Sequence, residues 1–590
     1  MKRQCGILFP VFSVPSEFGI GCFSREAYEF VDFLKKSGQS YWQVLPLGPT
    51  GFGDSPYQPV SAFAGNQNYV DLRALIEDEL LREDDVRCLD FGQNQERVDY
   101  GTLYTNRGRA LRMAYPAFRE RLLDSKKRTE EIKDAQNKTA AAYTVMTAGT
   151  AGAAAENITD PAGPAAERAA DAAASAVDMK SENAALSAAD MKSENTVLPE
   201  KSLYEKYTEF CERESYWLDD YCLYCALKEK FEGKSWLEWD DGYREHRADT
   251  LSRAKKELQD EISFFRFVQF EFFTQWERLH RYARKQGIEF IGDVPFYVSM
   301  DSADAWAHPE VFRFDRDLKP EYIAGCPPDA FSVTGQLWGN PVYDWERGRK
   351  DHYSWWIRRI RANMELFDIL RIDHFHGFSN YYEIPYGDET AENGIMKKGP
   401  GMSFFREMKK ALGEVPLIAE DLGTITPENE QLLKDSGYPG MKVLQYAFDG
   451  SESSWYLTYH HPFHCVVYTG THDNTTILDW VEHAPDHDRD FARQFIHSEN
   501  TDYGAFVWDF IREAYRSPAD TCIVPLQDYL VKGSEARINT PGSQGTNWQW
   551  RLAPNYLSDA LSESIHNLAR IYGRLPKTDP KSTDGQNDRK

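Results

Sequence analysis

The stretch LRIDHFHGF, residues 370–378, places an arginine, an aspartate and two histidines at the end of an apolar run. The apolar residues predict a short buried strand, in which Arg371 and Asp373 project from the same face. Charges are costly in a protein core unless they are paired. This stretch alone is therefore consistent both with a structural ion pair and with a functional site, and the rest of the chain has to decide between them.

Similar apolar runs occur elsewhere, and helical patterns separate most of them. They are YWQVLPL (41–47), GIEFIGDVPFYV (287–298), VPLIAEDLG (415–423), MKVLQYAF (441–448), HCVVYTGTHD (464–473) and TCIVPLQDYL (521–530). Continuous apolar runs that alternate with helices are typical of parallel βα units. About eight strands with polar residues at their ends predict a (β/α)8 barrel. An open doubly wound sheet is the alternative, but no GxGxxG fingerprint opens any unit.

The predicted barrel covers residues 1–575, with helical insertions at about 73–285 and 301–350. Within the first insertion, residues 126–201 change in composition: alanine runs appear, and the hexapeptide DMKSEN occurs twice, at 178–183 and 190–195. So little apolar surface does not offset the entropy of ordering a segment. We therefore predict a disordered or loosely helical surface insertion at 126–201, and a disordered polar tail at 576–590.

Composition limits the class of partner. The 590-residue chain has a formal net charge of −25, which argues against nucleic acid, an anionic membrane or a polyanionic substrate. A neutral ligand suits this charge better. Aromatic residues make up 14% of the chain, and they are suited to stacking on sugars, although an aromatic-rich core would also account for them.

The cysteines and the apolar segments bear on the compartment. The nine cysteines have no regular spacing, and we predict reduced thiols. Cys222 and Cys225 form a CxxC inside a helical pattern, which favours core packing over zinc binding. Neither a signal-peptide pattern nor an 18-residue apolar span occurs, so we predict a cytoplasmic protein that does not enter a membrane.

In a barrel, the carboxyl ends of the strands meet at one mouth, so three of the strand ends become neighbours. They carry Arg371 with Asp373, Glu420 with Asp421, and His472 with Asp473. A purely structural site rarely tolerates several like charges together. Carboxylates without a phosphate loop or a clear nucleophilic Ser or Cys favour glycosidic chemistry, in which one carboxylate attacks the anomeric carbon and another transfers the proton.

The surroundings of the carboxylates in the sequence predict different roles. Arg371 is expected to keep Asp373 ionised, as a nucleophile requires. Glu420 has no adjacent cation, which favours a raised pKa and a general acid/base role. Asp421 points the other way and is predicted to be structural. Asp473 is suited to binding sugar hydroxyls, but that role cannot be derived from the sequence alone.

Two further features of the sequence each have two interpretations. Tyr57 lies between prolines in a long glycine and proline loop, 48–66, which is typical of a functional loop but also of an ordinary surface loop. His374 and His376 form an HxH at a strand end, as in metal-dependent amidohydrolases. Downstream, only His472 and Asp473 could complete such a metal site, so the metal hypothesis is the weaker one.

Several long motifs together carry a family resemblance. They are RQCGILFPVFSVPSEFGIG (3–21), YWQVLPLGPTGFGDSPYQ, IGDVPFYV, PPDAFSVTGQLWGNPVYDW, RIDHFHGF, IAEDLG, YTGTHDN, RINTPGS and NWQWR (547–551). With them the chain resembles the 4-alpha-glucanotransferases of the amylomaltase type, glycoside hydrolase family 77. The resemblance covers the chain except the low-complexity insertion and the tail after about residue 575.

The resemblance implies roles for particular residues. Asp373 would be the nucleophile that forms a covalent glucosyl-enzyme, Glu420 the acid/base, and Asp473 the stabiliser of the transition state. The implied contacts to the cleaved sugar are Tyr57, Arg371, His374 and His472, and a loop over the donor and acceptor subsites would carry Asp329, Gln336 and Trp338.

The implied reaction is transfer of segments of α-1,4-glucans or maltooligosaccharides to a glucan or glucose acceptor, by retaining double displacement and with neither cofactor nor metal. An α-amylase-like hydrolase and a non-catalytic glucan-binding protein are the alternatives, and the oligomeric state is not indicated.

Two positions depart from the family pattern. His376 stands where arginine is expected, and a role there would depend on pH near neutrality. Ala330 stands where some members have an aromatic ring, so product size or cyclisation is expected to differ if that ring guides long glucans.

Overall fold

The computed structural model describes residues 3–153, 201–328, 332–423, 425–451, 453–543 and 545–576, with the side chains of 142–153 excepted. Its strands in chain order are β1 Gln4–Leu8, β2 Tyr41–Gln43, β3 Glu289–Val294, β4 Tyr322–Cys326, β5 Gln336–Pro341, β6 Ile369–Ile372, β7 Asn380–Pro385, β8 Ile395–Lys398, β9 Leu417–Ala419, β10 Gly440–Val443, β11 Cys465–Tyr468 and β12 Thr521–Pro525.

Eight of these strands form a parallel barrel. β1, β2, β3, β6, β9, β10, β11 and β12 are neighbours in chain order, and β12 pairs with β1. Between β9 and β10 the Ala419 N–H donates to the Pro439 carbonyl at 2.9 Å, which closes the ring. The predicted (β/α)8 barrel is confirmed, and the alternative of an open doubly wound sheet is wrong.

The barrel interior is filled by side chains from most of its strands. They include Leu8, Tyr41, Ile291, Ile418, Met441, Val443, Val466, Tyr468 and Ile523, all buried. β1 was not among the predicted strands, since its run QCGIL contains a glycine, which is unusual inside a strand. A Cβ at Gly6 would lie 2.5 Å from the Cβ of Tyr41, so only glycine allows β1 and β2 to approach so closely.

A second sheet contradicts part of the predicted organisation. β5, β4, β7 and β8 form a four-stranded antiparallel sheet in that order. The prediction of a helical insertion at 301–350 is therefore wrong where β4 and β5 lie. β4 pairs with β7, which lies beyond β6 in the chain, and such a non-local pairing leaves no periodic signal in a short window.

The α-helices surround these sheets or fill the insertions. Among the described residues they are Arg25–Lys36, Leu72–Glu77, Glu83–Arg87, Tyr100–Ala153, Leu203–Arg213, Ser215–Lys230, Asp241–Arg244, Ala248–Glu257, Gln259–Gln286, Ala303–Ala307, Trp345–Lys350, Ser354–Leu366, Met402–Leu412, Pro427–Ser436, Ile477–His483, Asp486–Ile496, Tyr503–Arg516, Leu526–Tyr529 and Asp559–Ile571. None of those in the described parts of the chain is long and apolar enough to cross a membrane.

The chain divides into two compact units. One comprises Met1–Tyr115 and Ser215–Lys590 and contains the barrel; the other is Pro116–Glu214. The predicted insertion at 126–201 begins inside the helix Tyr100–Ala153, while its residues 154–200 lie outside the described residues. The predicted polar tail lies outside them as well, from residue 577 onwards.

The packing at Gly292, in β3, gives a stability prediction. A Cβ there would lie 2.2 Å from the ring of the buried Phe367, so Gly292→Ala is expected to destabilise the protein by about 1–3 kcal/mol through overpacking. The control is Gly108→Ala in the helix Tyr100–Ala153, where a Cβ has nothing within 4 Å and alanine is expected to raise helix stability slightly. Urea unfolding of both variants measures the difference, and equal midpoints would contradict it.

Candidate active site

The barrel mouth is formed where β3, β6 and β9 end. Arg371 of β6 pairs in register with Asp293 of β3 and with Ile418 of β9. One step further on, the Asp373 N–H donates to the Val294 carbonyl, and the Glu420 N–H donates to the Ile372 carbonyl, each at 3.1 Å. Asp373 and Glu420 therefore occupy the same level on adjacent strands.

Arg371 is buried and makes its shortest contacts with a residue to which the sequence assigned no role. Its Nη1 lies 2.7 Å from both carboxylate oxygens of Asp293, which is also buried, and 3.2 Å from Oδ1 of Asp373. The predicted contact between Arg371 and Asp373 is present. This contact is longer than the contacts between Arg371 and Asp293, because the guanidinium is shared between the two aspartates.

Burial raises the pKa of Asp373 well above its usual value, Arg371 lowers it, and the neighbouring carboxylate of Glu420 raises it further. Arg371 thus lowers the pKa of Asp373 in the predicted direction, but burial has the larger effect. Two adjacent carboxyls titrate as a pair, and their first proton leaves the group that is better compensated. Asp373 contacts Arg371 directly and 26% of its side chain is open to solvent, and both features favour its ionised form.

Glu420 has the complementary surroundings. Burial raises its pKa to about 7, against the lowering effects of Arg371 and of two backbone N–H groups. The His374 N–H donates to Oε2 at 2.7 Å and the Leu422 N–H donates to Oε1 at 3.1 Å. His374 adopts a left-handed conformation, φ 48°, in the turn that directs its N–H to the carboxylate. The predicted raised pKa is confirmed, and its main cause is burial.

Asp473 lies in the loop after β11. Its Oδ1 accepts a hydrogen bond from Nδ2 of Asn539 at 2.6 Å and lies 3.3 Å from Nε2 of His472. The guanidinium of Arg537 donates to the Asp473 carbonyl at 3.1 Å. Arg537 and Asn539 lie in the motif RINTPGS, but no role was predicted for either. They belong to a loop after the last strand, so no strand-end signal marks them.

Two buried aspartates hold the surrounding backbone. Asp528 accepts the Thr469 hydroxyl at 2.6 Å and the Ile477 N–H at 2.9 Å, and these residues flank the loop that carries Asp473. Asp421 accepts the Met441 N–H at 2.6 Å, in keeping with its predicted structural role. Both carboxylates fix loops by accepting backbone or hydroxyl protons that would otherwise be unpaired.

Tyr57 joins the glycine and proline loop to the site. Its hydroxyl donates to Oδ2 of Asp293 at 2.8 Å, and its ring stacks on His472 with centroids 4.8 Å apart and planes 12° apart. The ring of Trp548 packs against both, at 5.7 and 6.0 Å. The loop at 48–66 thus contributes an aromatic wall to the barrel mouth.

Gln336 and Trp338 form the opposite wall, but not as predicted. They lie in strand β5, so the prediction of a loop is wrong for both. The Trp338 indole N–H donates to Oε1 of Gln336 at 3.1 Å, and its ring meets His374 edge-on at 5.1 Å. Asp329 and Ala330 lie outside the described residues.

Neither histidine of the HxH pattern belongs to the group of possible metal-ligating side chains found in the described part of the chain. Burial lowers the pKa of both His374 and His376 to about 4, so the expectation that His376 titrates near neutrality is wrong. His374 packs against the rings of Phe296 and Trp338. The group of three metal-ligating side chains found in the described part of the chain lies elsewhere, on and beside the helix Ile477–His483, and includes neither histidine.

Comparison with known proteins agrees with this geometry. The model of glycoside hydrolase family 77, described as 4-alpha-glucanotransferase, matches residues 9–183 and 173–556. A 4-alpha-glucanotransferase of Thermus thermophilus is 39% identical over 98% of this chain and 100% of its own, and one of Clostridium butyricum is 38% identical over 96% and 99%. The solved structure of an amylomaltase from Streptococcus agalactiae, in complex with acarbose, matches 98% of this chain and 100% of its own, with 33% identity and a TM-score of 0.81. This chain therefore belongs to glycoside hydrolase family 77, the family of the 4-alpha-glucanotransferases.

Proposed function

We propose that this protein is a 4-alpha-glucanotransferase that moves segments of α-1,4-glucans or maltooligosaccharides to another glucan or to glucose. The observation that carries the proposal is the pair of carboxyls at neighbouring strand ends: Asp373 contacts a guanidinium, and Glu420 has a pKa raised to about 7. At neutral pH one of them supplies a negative charge and the other a proton, as retaining glycosidic chemistry requires.

The proposed reaction has two displacements. Asp373 attacks the anomeric carbon, while Glu420 protonates the oxygen of the glycosidic bond that breaks, so that a covalent glucosyl-enzyme forms. Glu420, now a carboxylate, then takes a proton from the 4-hydroxyl of the acceptor glucan, which attacks the same carbon and releases Asp373. Asp473, oriented by Asn539, would hold sugar hydroxyls and favour the distorted ring of the transition state.

Transfer requires that an acceptor sugar reach the intermediate before water does. Trp338 and Tyr57 offer apolar faces on two sides of the mouth, and Gln58 ties the two walls together. Its Nε2 donates to the Trp338 carbonyl at 3.1 Å and to Oδ1 of Asn340 at 3.0 Å. Walls that are fixed in this way favour binding of a sugar acceptor, whereas the α-amylase-like alternative would leave the intermediate to water.

We also propose a cytoplasmic location. The nine cysteines all lie in the described part of the chain, five of them are buried and no disulfide joins them, which suits a reducing compartment. The barrel strands and the site residues named above come from parts of the chain other than 126–201 and 576–590, so we propose that neither segment contributes to catalysis.

Maltotriose as the sole substrate tests the function. The wild-type protein is expected to yield glucose and a ladder of longer maltooligosaccharides, separated by chromatography; glucose and maltose alone would mean hydrolysis, and unchanged maltotriose would mean binding at most. Asp373→Asn is expected to lower turnover by about three orders of magnitude or more, because amide oxygen is a poor nucleophile. Asp421→Asn, a change at a neighbouring structural carboxylate, is expected to retain most of it.

The raised pKa of Glu420 gives a prediction for stability against pH. An ordinary glutamate in the unfolded chain ionises near 4.5, whereas Glu420 in the folded protein keeps its proton up to about 7. The stability linked to this proton is complete below pH 4.5 and is lost as the pH rises to about 7. Glu420→Gln removes this loss, so its Tm is expected to exceed that of wild type by a margin that grows from pH 4.5 to 7 and is then constant.

Thermal unfolding followed by circular dichroism at several pH values measures that margin. The control is Glu414→Gln, whose side chain is largely exposed and is expected to give a margin that hardly changes over the same range. A margin for Glu420→Gln that is independent of pH would contradict the assignment of the proton to this residue.

A further inference from the structure

Two of the most exposed aromatic rings of the described residues lie close together outside the catalytic mouth. Trp455 is 64% exposed and Tyr459 is 60% exposed, and both belong to the crossover between β10 and β11. The ring of His460 contacts both, with its centroid 5.5 Å from that of Trp455 and 4.4 Å from that of Tyr459. We call Trp455, Tyr459 and His460 the aromatic platform.

The backbone beneath the platform is anchored. Leu457 and Thr458, which lie between the two exposed rings, are buried, and the Thr458 hydroxyl donates to Oε1 of Glu513 at 2.5 Å. His461, also buried, lies 2.8 Å from Oγ of Ser517 through Nδ1 and 2.9 Å from the Tyr456 carbonyl through Nε2. The exposed rings therefore stand on a fixed base, which lowers the entropy lost when a ligand stacks on them.

The crossover also connects the platform to the catalytic mouth. It begins with Leu444–Ala447 at the carboxyl end of β10, where the Gln445 N–H donates to the Thr469 carbonyl and its side chain to the Thr475 carbonyl, on either side of Asp473. The next residue, Tyr446, is partly exposed and packs edge-on against Tyr456 at 5.4 Å. Tyr456 directly follows Trp455, so aromatic side chains lead from the mouth to the platform.

Electrostatics support the same path. The negative charges of Asp473 and Glu420 contribute to raising the pKa of Tyr446, after the larger effect of burial. Tyr446 is thus within electrostatic reach of the proposed catalytic carboxylates. The protein as a whole carries a formal net charge of −25, which disfavours an anionic ligand at this surface.

We propose that the aromatic platform is a remote binding site for an α-1,4-glucan chain, continuous with the active site through Tyr446 and Tyr456. Glucose units present apolar faces that stack on exposed rings, and a neutral polymer meets no electrostatic penalty on a protein with a net charge of −25. A chain that occupies the mouth and extends over the crossover gains contacts at the platform, whereas a trisaccharide held in the mouth does not. The inference rests on the proposed function, because it takes its ligand class from it.

The double variant Trp455→Ala/Tyr459→Ala tests the proposal. Loss of two stacking rings is expected to raise KM for amylose roughly tenfold, with KM and kcat for maltotriose unchanged. The matched control is Phe463→Ala. Phe463 is 61% exposed on the same crossover, but it lies just before β11 begins, at the end of the barrel away from the mouth. Phe463→Ala is expected to leave KM and kcat unchanged for both amylose and maltotriose.

Two outcomes overturn the proposal. One is an unchanged KM for amylose, including the case in which the double variant alters only the oligomeric state on gel filtration, which would make the platform an interface between copies. The other is an equal loss with amylose and maltotriose, which would mean a distorted active site. Trp455→Phe, which keeps an aromatic face, is expected to retain most of the wild-type KM, and its failure to do so would also count against stacking.

Binding separates this proposal from the proposed function. In the Asp373→Asn background, electrophoretic retardation by amylose in the gel is expected, and adding the platform substitutions is expected to abolish most of it. If wild-type protein fails to rearrange maltotriose but this difference in retardation persists, the proposed function fails and the platform stands. Equal retardation with and without the platform substitutions overturns the platform alone.

Discussion

The barrel mouth depends on one buried ion pair, between Arg371 and Asp293. Removal of Arg371 would leave Asp293 as an uncompensated charge in the interior, which costs about 3–5 kcal/mol. The pair also sets the chemistry: Nη1 of Arg371 lies within 3.2 Å of Asp373, and Asp293 accepts the hydroxyl of Tyr57. The strand register makes this arrangement possible, because Asp293 and Arg371 are directly opposed on β3 and β6.

The same desolvation that makes this pair costly bears on the different tasks proposed for the two carboxyls. Burial raises the pKa of both and Arg371 lowers the pKa of both, and Asp373 also accepts a hydrogen bond from the guanidinium. Glu420 is held in place by two backbone N–H groups, which together with Arg371 lower its pKa without offsetting the effect of burial. A geometry of this kind separates the roles of nucleophile and proton carrier between two chemically similar side chains.

Much of the fold and the centre of the site could be predicted from the sequence, because both depend on local signals. Apolar runs ending in polar residues located seven of the eight barrel strands, and the carboxylates followed those strands directly. β1 escaped because its glycine, needed for the close approach of Tyr41, is unusual in a strand. The second sheet escaped because β4 pairs with β7, which follows the barrel strand β6 in the chain.

The features of the site that were not predicted depend on contacts between segments that are distant in the sequence. The sequence shows Asp293 at a strand end, but only the register reveals that it is the main partner of Arg371. Asn539 and Arg537 reach Asp473 from a loop some 65 residues away, and no periodicity marks such a loop. The surroundings of His376 were likewise not readable, since burial, and not residue type, sets its pKa.

The stack of Tyr57 on His472 has a consequence for motion. These rings come from the loops after the second and the seventh barrel strands, and the hydroxyl of Tyr57 ties both to Asp293 beneath them. Neither loop can swing outwards without breaking a contact that the other supplies. The amide protons of the two loops should therefore exchange with solvent as one cooperative unit, and opening of the mouth becomes a concerted event across the barrel.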